Sequence, residues 1–246
     1  MVSKNQIKTI TGLQQKKYRK QHKLFFAEGI KVVQELLNSN FELHQLFTTQ
    51  DIFNDDVSKS KTEFITETEL KKISALTTPN VCVALFVMPD EKTVPDTGLI
   101  MVLDDVRDPG NLGTIIRLCD WFGVGHLVCS EQCVDVYNPK VVQATMGSLA
   151  RVNVVYTDIE AYLAKTKLQV FGTFMDGDAI YGESLPENAI VIMGNEANGI
   201  SPEIEMKAGR RISIPRFGGL QQTESLNVAT AAAIILSEFR RSSSGR

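Results

Sequence analysis

Hydrophobic and polar positions along this chain alternate between two rhythms, one of period two and one near 3.6, and the switches between them mark the elements. From Asn5 to Lys20 the residues favour one basic helix. "LFFAEG" then reads as a strand ending at Gly29, "IKVVQELL" has helical spacing, and "FELHQLFTT" alternates as a strand does. "ETELKKISAL" predicts a helix opened by a Thr66-x-x-Glu69 capping pattern, and "NVCVALFVM" a buried strand. These elements describe a small alternating α/β unit.

"PDEKTVPDTG", Pro89 to Gly98, carries two prolines, a glycine and several charges, with nothing apolar enough to pack. It is the best linker in the chain and sets an expected boundary near residue 95, giving domains 1–95 and 96–246. Beyond it the rhythms alternate again. "LIMVLDDV", "HLVCSE", "VNVVYT", "QVFGTFM", "AIVIMG" and "RISIP" read as strands; "LGTIIRLCDWFG", "NPKVVQATMGSLA", "DIEAYLAKT", "SPEIEMKAG" and a closing stretch from about Ser225 to Arg240 read as helices. Such alternation predicts an α/β fold with a mostly parallel sheet flanked by helices. The tail "RRSSSGR" is expected to fray.

Composition narrows the class without naming the chemistry. The 246 residues are 43% hydrophobic and 22% charged, with a net charge of -3, an ordinary globular balance. Charge is uneven, however. Lys4, Lys8, Lys16, Lys17, Arg19, Lys20, Lys23 and Lys31 stand against Glu28 alone in the first stretch, which predicts a basic amino-terminal face: either a solvated helix surface or a phosphate contact. Four cysteines without a C-x-x-C pair point to a reducing cytoplasm and no zinc site. The longest apolar runs, Val81–Met88 and Val228–Leu236, fall far short of the roughly twenty residues that span a bilayer, so no membrane segment is expected.

Four predicted strand ends are rich in Gly, Asn and charge: "DDVRDPGNLG", "GTFMDGD", "MGNEANGIS" and "IPRFGGLQQTESLN". Open α/β sheets bind ligands at such ends, although each stretch taken alone is also what a turn requires. "GNLG" lacks the G-x-G-x-x-G spacing and no G-x-x-x-x-G-K-[ST] occurs, which disfavours a nucleotide-dependent oxidoreductase or an ATP site. His22, His44 and His126 are scattered, and no H-E-x-x-H occurs, so no metal centre is expected.

"LDDVRDPGNLGTIIRLCDWFG", "VIMGNEANGIS" and "ISIP...SLNVATAAAI", in that order, resemble the three motifs of the SpoU (TrmH-type) family of RNA ribose 2'-O-methyltransferases in the SPOUT superfamily; "KVVQATMGSLARV" between them also resembles the family pattern. The likeness covers Leu99 to Arg240. The amino-terminal region resembles the small RNA-substrate domain that often precedes this catalytic domain. What the resemblance implies is a trefoil-knotted sheet, which the rarity of knots would otherwise argue against. It further implies a homodimer, S-adenosyl-L-methionine as cofactor and structured RNA as partner. Ribosomal RNA is favoured over transfer RNA because of the accessory domain, and a catalytically inert RNA-binding relative is the alternative from another class.

Carried over residue by residue, the resemblance makes Arg117 the catalytic arginine, with Asn111, Glu196, Ser225 and Asn227 completing the catalytic set, and Gly194, Ile214 and Leu226 holding the cofactor. A guanidinium has donors and no acceptor, so a role in orienting phosphate and stabilising a developing alkoxide suits it better than that of a plain general base. Asn111 would hold its loop and bond Arg117 or substrate; Glu196 would pair with Arg117 or fix the loop; Ser225 and Asn227 would cap the last helix. "RFGGLQQTE" is longer than the compact loop of the family, Arg216 stands where an apolar residue is usual, and Gln221, Gln222 and Thr223 are candidates for reading RNA.

Overall fold

The computed structural model describes residues 1–53, 57–90, 92–218 and 225–243. The chain forms two compact units, Met1–Asp90 with Asp135–Ala150, and Glu91–Val134 with Arg151–Arg246.

In the first unit, α1 (Lys4–Gly12) and α2 (Lys16–His22) replace the single basic helix expected from Asn5 to Lys20. Gln15 takes an extended backbone, φ -100° and ψ 133°, which ends one helix and starts the next. β1 (Leu24–Glu28), α3 (Ile30–Leu37), β2 (Leu43–Thr48), β3 (Thr62–Phe64), α4 (Glu67–Ile73) and β4 (Cys82–Val87) follow. Their sheet has the order β1-β4-β2-β3, with β4 antiparallel to both neighbours and β3 parallel to β2. β3 was invisible in the pattern, being three residues long. The capping box at α4 forms as expected: Glu69 N–H donates to Thr66 Oγ1 at 3.3 Å and Thr66 N–H to Glu69 Oε2 at 2.9 Å. Phe26, Phe47, Leu70, Ile73 and Val83 are among the residues filling the core beneath.

Lys4, Lys8, Lys16, Lys17, Lys20, Lys23 and Lys31 are all exposed, so a basic surface exists. Arg19 does not belong to it. It is 2% exposed, donates to Leu13 C=O at 2.7 Å and pairs with Asp135. A buried cation needs a carboxylate and hydrogen bonds, and this one has both.

The second unit is built on six parallel strands: β5 (Leu99–Leu103), β6 (His126–Cys129), β7 (Asn153–Tyr156), β8 (Gln169–Ala179), β9 (Ala189–Met193) and β10 (Arg210–Ser213), in the order β10-β8-β9-β5-β6-β7. Both central strands are apolar and buried at every position, because helices cover both faces. α7 (Ile159–Leu163) and α8 (Pro202–Glu205) pack through Ile159, Leu163, Ile200 and Ile204. α5 (Pro109–Trp121) packs with α9 (Val228–Ser243), where Arg240 donates to the carbonyls of Phe122 at 2.6 Å and Gly123 at 2.8 Å. Phe171 of β8 meets Phe239 of α9 edge to face, with centroids 5.3 Å apart.

α6 (Pro139–Thr145) belongs to the first unit and is shorter than "NPKVVQATMGSLA" suggested. Met146 at φ 51° and Gly147 at φ 94° stop it, and a Cβ on Gly147 would lie 2.4 Å from Glu35 Cβ. "GTFMDGD" is not a strand end either. The register of β10 against β8 jumps from Arg211↔Gly172 to Ile212↔Asp178, so 173–177 bulges out of a single long strand.

Candidate active site

The strand order creates a switch point. From β5 the chain runs outward through β6 and β7, then crosses over to lay β8 and β9 on the other side of β5. Loops leaving β5 and β9 therefore diverge side by side at the carboxyl edge, where open α/β sheets hold their ligands.

After β5, Asp108 takes an extended backbone and caps α5, its Oδ1 accepting from Asn111 N–H at 2.8 Å, while Pro109 at the first helical position has no N–H to satisfy. This fixes Asn111 in the first turn. Leu112, Ile115, Ile116 and Cys119 then take the buried face of the helix.

After β9, Gly194 and the turn behind it form a tight hairpin: Asn195 N–H donates to Gly199 C=O at 2.9 Å and Gly199 N–H to Asn195 C=O at 2.8 Å. A Cβ on Gly194 would meet the Gly199 carbonyl carbon at 2.2 Å and the Ile200 nitrogen at 2.3 Å, so only glycine fits. Asn195 fastens this loop to its neighbour, Nδ2 donating to Asp105 C=O at 2.7 Å, while its Oδ1 accepts from Ala197 and Asn198 N–H at 2.8 and 3.2 Å. Ser201 N–H adds a second tie, donating to Asp104 Oδ2 at 2.7 Å.

Three of the sequence candidates meet here. Asn111 Nδ2 donates to Glu196 Oε1 at 2.6 Å, and Asn227 Nδ2 donates to Asn111 Oδ1 at 2.9 Å. Asn227 Oδ1 meanwhile accepts from the N–H groups of Ala229 and Thr230 at 3.0 and 3.2 Å, capping α9. One amide thus joins two loops and a helix, and its orientation follows from its partners, a donor facing a carboxylate and an acceptor facing an amide.

Other candidates stand differently. Asn227 caps α9, not Ser225, which is exposed two positions earlier. Arg117 is exposed and shares its helix face with Thr114 and Trp121, the latter 85% exposed. Neither Asn111 nor Glu196 bonds Arg117 among the described residues; they bond each other instead, because Asn111 lies a turn and a half before Arg117 and is held by Asp108. Gly194 and Ile214 directly follow β9 and β10, which flank β8 in parallel, so both lie at the same carboxyl edge. Leu226, next to Asn227, leaves aliphatic surface uncovered at 45% exposure. Gln221, Gln222 and Thr223 lie outside the described residues.

Sequence reasoning missed Asn195 and Asp105. Asn195 sits inside a quoted motif, but nothing in the pattern says its side chain reaches another loop. Cys133 is a further supporting group: its Sγ accepts from Val106 N–H at 3.3 Å, and hydrogen bonds from Cys129, Ser130 and that amide bring its thiol down to about 7. Burial holds the Cys119 thiol up at about 12. Among the described residues, no group of His, Cys, Asp and Glu could hold a metal ion, and no helix is long and apolar enough to cross a membrane.

Residues 98–237 match the model of the SpoU rRNA Methylase family. The chain belongs to that family. Residues 4–84 match an MRM3-like substrate binding domain. A relative in Bacillus subtilis (strain 168), 23S rRNA (guanosine(2553)-2'-O)-methyltransferase RlmP, is 31% identical, the alignment covering 97% of each chain. Among solved structures, a protein assigned as an RNA methyltransferase of the TrmH family from Porphyromonas gingivalis is 40% identical with a TM-score of 0.90, over 99% of this chain and 100% of that one. An AdoMet-bound rRNA methyltransferase from Sinorhizobium meliloti is 28% identical with a TM-score of 0.86, over 98% and 97%. The bonded set Asn111, Glu196 and Asn227 draws one residue from each of the three segments that resemble SpoU family motifs.

Proposed function

We propose that this SpoU family member transfers the methyl group of S-adenosyl-L-methionine to a ribose 2'-hydroxyl of ribosomal RNA. The observation that carries the reading is the link from Glu196 through Asn111 to Asn227, at 2.6 and 2.9 Å, at the switch point of the sheet. Family membership supports the reaction type, and the rRNA named for the Bacillus subtilis relative supports the substrate. The exposed lysines of the amino-terminal unit supply sequence-independent phosphate contacts, so RNA binding weakens as salt rises.

The bound cofactor supplies an activated methyl group. Gly194, Ile214 and Leu226 would hold it, and their placement suits that role, since two lie at the carboxyl edge of the sheet and Leu226 offers an open aliphatic surface to an apolar ring. Asn111, Glu196 and Asn227 form the rigid floor on which the ribose is placed, with Ser225 as an exposed hydroxyl beside it. Arg117 carries the positive charge that orients a phosphate and stabilises the developing alkoxide. The SpoU resemblance supports a trefoil knot formed by the carboxyl-terminal segment and a homodimer in the cytoplasm. The exposure of Thr114, Arg117 and Trp121 on one helix face supports a second copy packing there.

The deciding experiment is methyl transfer from labelled S-adenosyl-L-methionine to unmethylated ribosomal RNA by wild type and Arg117→Ala. The variant should keep its melting temperature and lose turnover by about 100-fold or more. Full activity in the variant would remove Arg117 from the mechanism; cofactor binding without any transfer by wild type would favour an inert RNA-binding relative.

A further inference from the structure

We propose that Arg107 is a second substrate contact, a guanidinium set in place by Asp105 to grip a backbone phosphate of the RNA beside the reacting ribose; this rests on the functional reading above. Asp105 has φ +58°, one of four non-glycine residues among those described with a left-handed backbone. Such a residue costs on the order of 1 kcal/mol or more and persists only where its surroundings over-determine it.

They do so here. Asp105 N–H donates to Ser130 Oγ at 3.0 Å, and its carbonyl accepts from Asn195 Nδ2 at 2.7 Å. The next residue is held as well, Val106 N–H reaching Cys133 Sγ at 3.3 Å and its carbonyl accepting from Val134 N–H at 3.0 Å. The turn is therefore pinned by main-chain bonds to the loops after β6 and β9. None of these bonds uses the Asp105 side chain, so glycine would satisfy the backbone with less strain.

What the Asp105 carboxylate does is accept from Arg107 Nε at 2.6 Å. Arg107 is 70% exposed, and an exposed pair of this kind adds little stability, too little to offset the strained turn. Its consequence is orientation. With Nε occupied, the two terminal nitrogens make no bond to any described residue and remain as a planar fork, four residues before Asn111 and one before the α5 cap. Such a fork matches the oxygens of a phosphodiester.

Local charge argues for one oriented grip rather than general attraction. Asp104, Asp105 and Asp108 surround Arg107 in sequence, and each carboxylate is engaged: Asp104 by Ser201 N–H, Asp108 by Asn111 N–H, Asp105 by Arg107 itself. Unlike the lysine-rich amino-terminal unit, this acidic run does not gather phosphate by general attraction. It can still bind one phosphate through a pre-set donor pair.

The experiment compares wild type, Arg107→Ala, Arg107→Lys and Asp105→Ala on unmethylated ribosomal RNA, measuring KM, kcat and the salt dependence of KM, with S-adenosyl-L-methionine affinity by calorimetry. Arg107→Ala should raise KM for RNA about tenfold, more than it lowers kcat, and should reduce the slope of log KM against log salt by about 0.7 to 0.9. Arg107→Lys should restore the slope but not the full KM, since the charge returns without the fork. Asp105→Ala should raise KM about threefold with the slope unchanged, because the charge stays and only its orientation is lost. An Arg107→Ala protein indistinguishable from a working wild type overturns the proposal alone, as does a variant weakened in cofactor affinity instead of RNA. A wild type that neither binds nor methylates ribosomal RNA overturns the functional reading and takes this inference with it.

Discussion

Replacing Gly194 by alanine tests the steric logic of the site most directly. The added Cβ would lie 2.2 Å from the Gly199 carbonyl carbon, 2.3 Å from the Ile200 nitrogen and 2.4 Å from the Gly199 oxygen, all backbone atoms. Ordinary contact begins near 3.4 Å, so the two sides of the hairpin must separate by about 1 Å. That separation strains or breaks the paired Asn195–Gly199 bonds at 2.9 and 2.8 Å. Overpacking costs about 1–3 kcal/mol, and two weakened hydrogen bonds add about 1 kcal/mol each, for a total of about 3–5 kcal/mol. With a urea m-value of about 3 kcal/mol per M, the midpoint should fall by roughly 1 to 1.7 M when followed by circular dichroism. Methyl transfer should fall with it, because Glu196 is carried by the same hairpin and reaches Asn111 only when the hairpin closes. Gly182→Ala is the matched control, since nothing lies within 4 Å of its added Cβ; it should stay within about 0.5 kcal/mol of wild type. A Gly194→Ala protein with wild-type midpoint and turnover would show that the hairpin relaxes freely, and the claim that its closure positions Glu196 would be wrong.

Two further outcomes bear on the first unit. Arg19→Ala leaves Asp135 without its buried partner and should cost about 3 kcal/mol, whereas exposed Lys20→Ala should change stability by less than about 0.5 kcal/mol; equal effects in thermal melts would return Arg19 to the surface. Glu28, 5% exposed, has its carboxyl pushed up by burial against the opposing hydrogen bonds from Ser74 and Ala75. The native state therefore holds this proton to higher pH than the unfolded chain, and the stability linked to it is present below the unfolded value and lost as pH rises through the native one. Urea midpoints of wild type should fall relative to Glu28→Gln as pH rises above the ordinary glutamate value of about 4; a gain on raising the pH would mean hydrogen bonding outweighs desolvation.

Much of the architecture was legible along the chain because period and punctuation are local properties. The strands of the second unit and the Thr66–Glu69 cap each follow from a few adjacent residues, whereas α5 begins at Pro109, three residues before the expected Leu112, because the Asp108 cap draws the Gly110–Asn111 turn into the helix. The split of the first helix depended on the conformation of Gln15, and the stop after Thr145 on left-handed turns at Met146 and Gly147, neither of which a hydrophobic pattern records. Gly, Asn and charge at four expected strand ends marked candidate loops, of which "GTFMDGD" proved to lie within β8, and the motif resemblance marked residues in the others.

Residue types and spacing by themselves determined which stretches become strands and helices, where chemistry was to be sought, and which family the motifs resemble. The tertiary structure alone decided that Asn111 faces Glu196 and Asn227 rather than Arg117, that Arg19 is interior, and that Asp105 is locked in a left-handed turn. The physical reason is range. Propensity and capping act within a turn or two of helix, whereas the order β9-β5-β6 places side by side residues some 90 positions apart in the chain, as in the Asn195–Asp105 bond, and only that juxtaposition tells each polar group which partner it has.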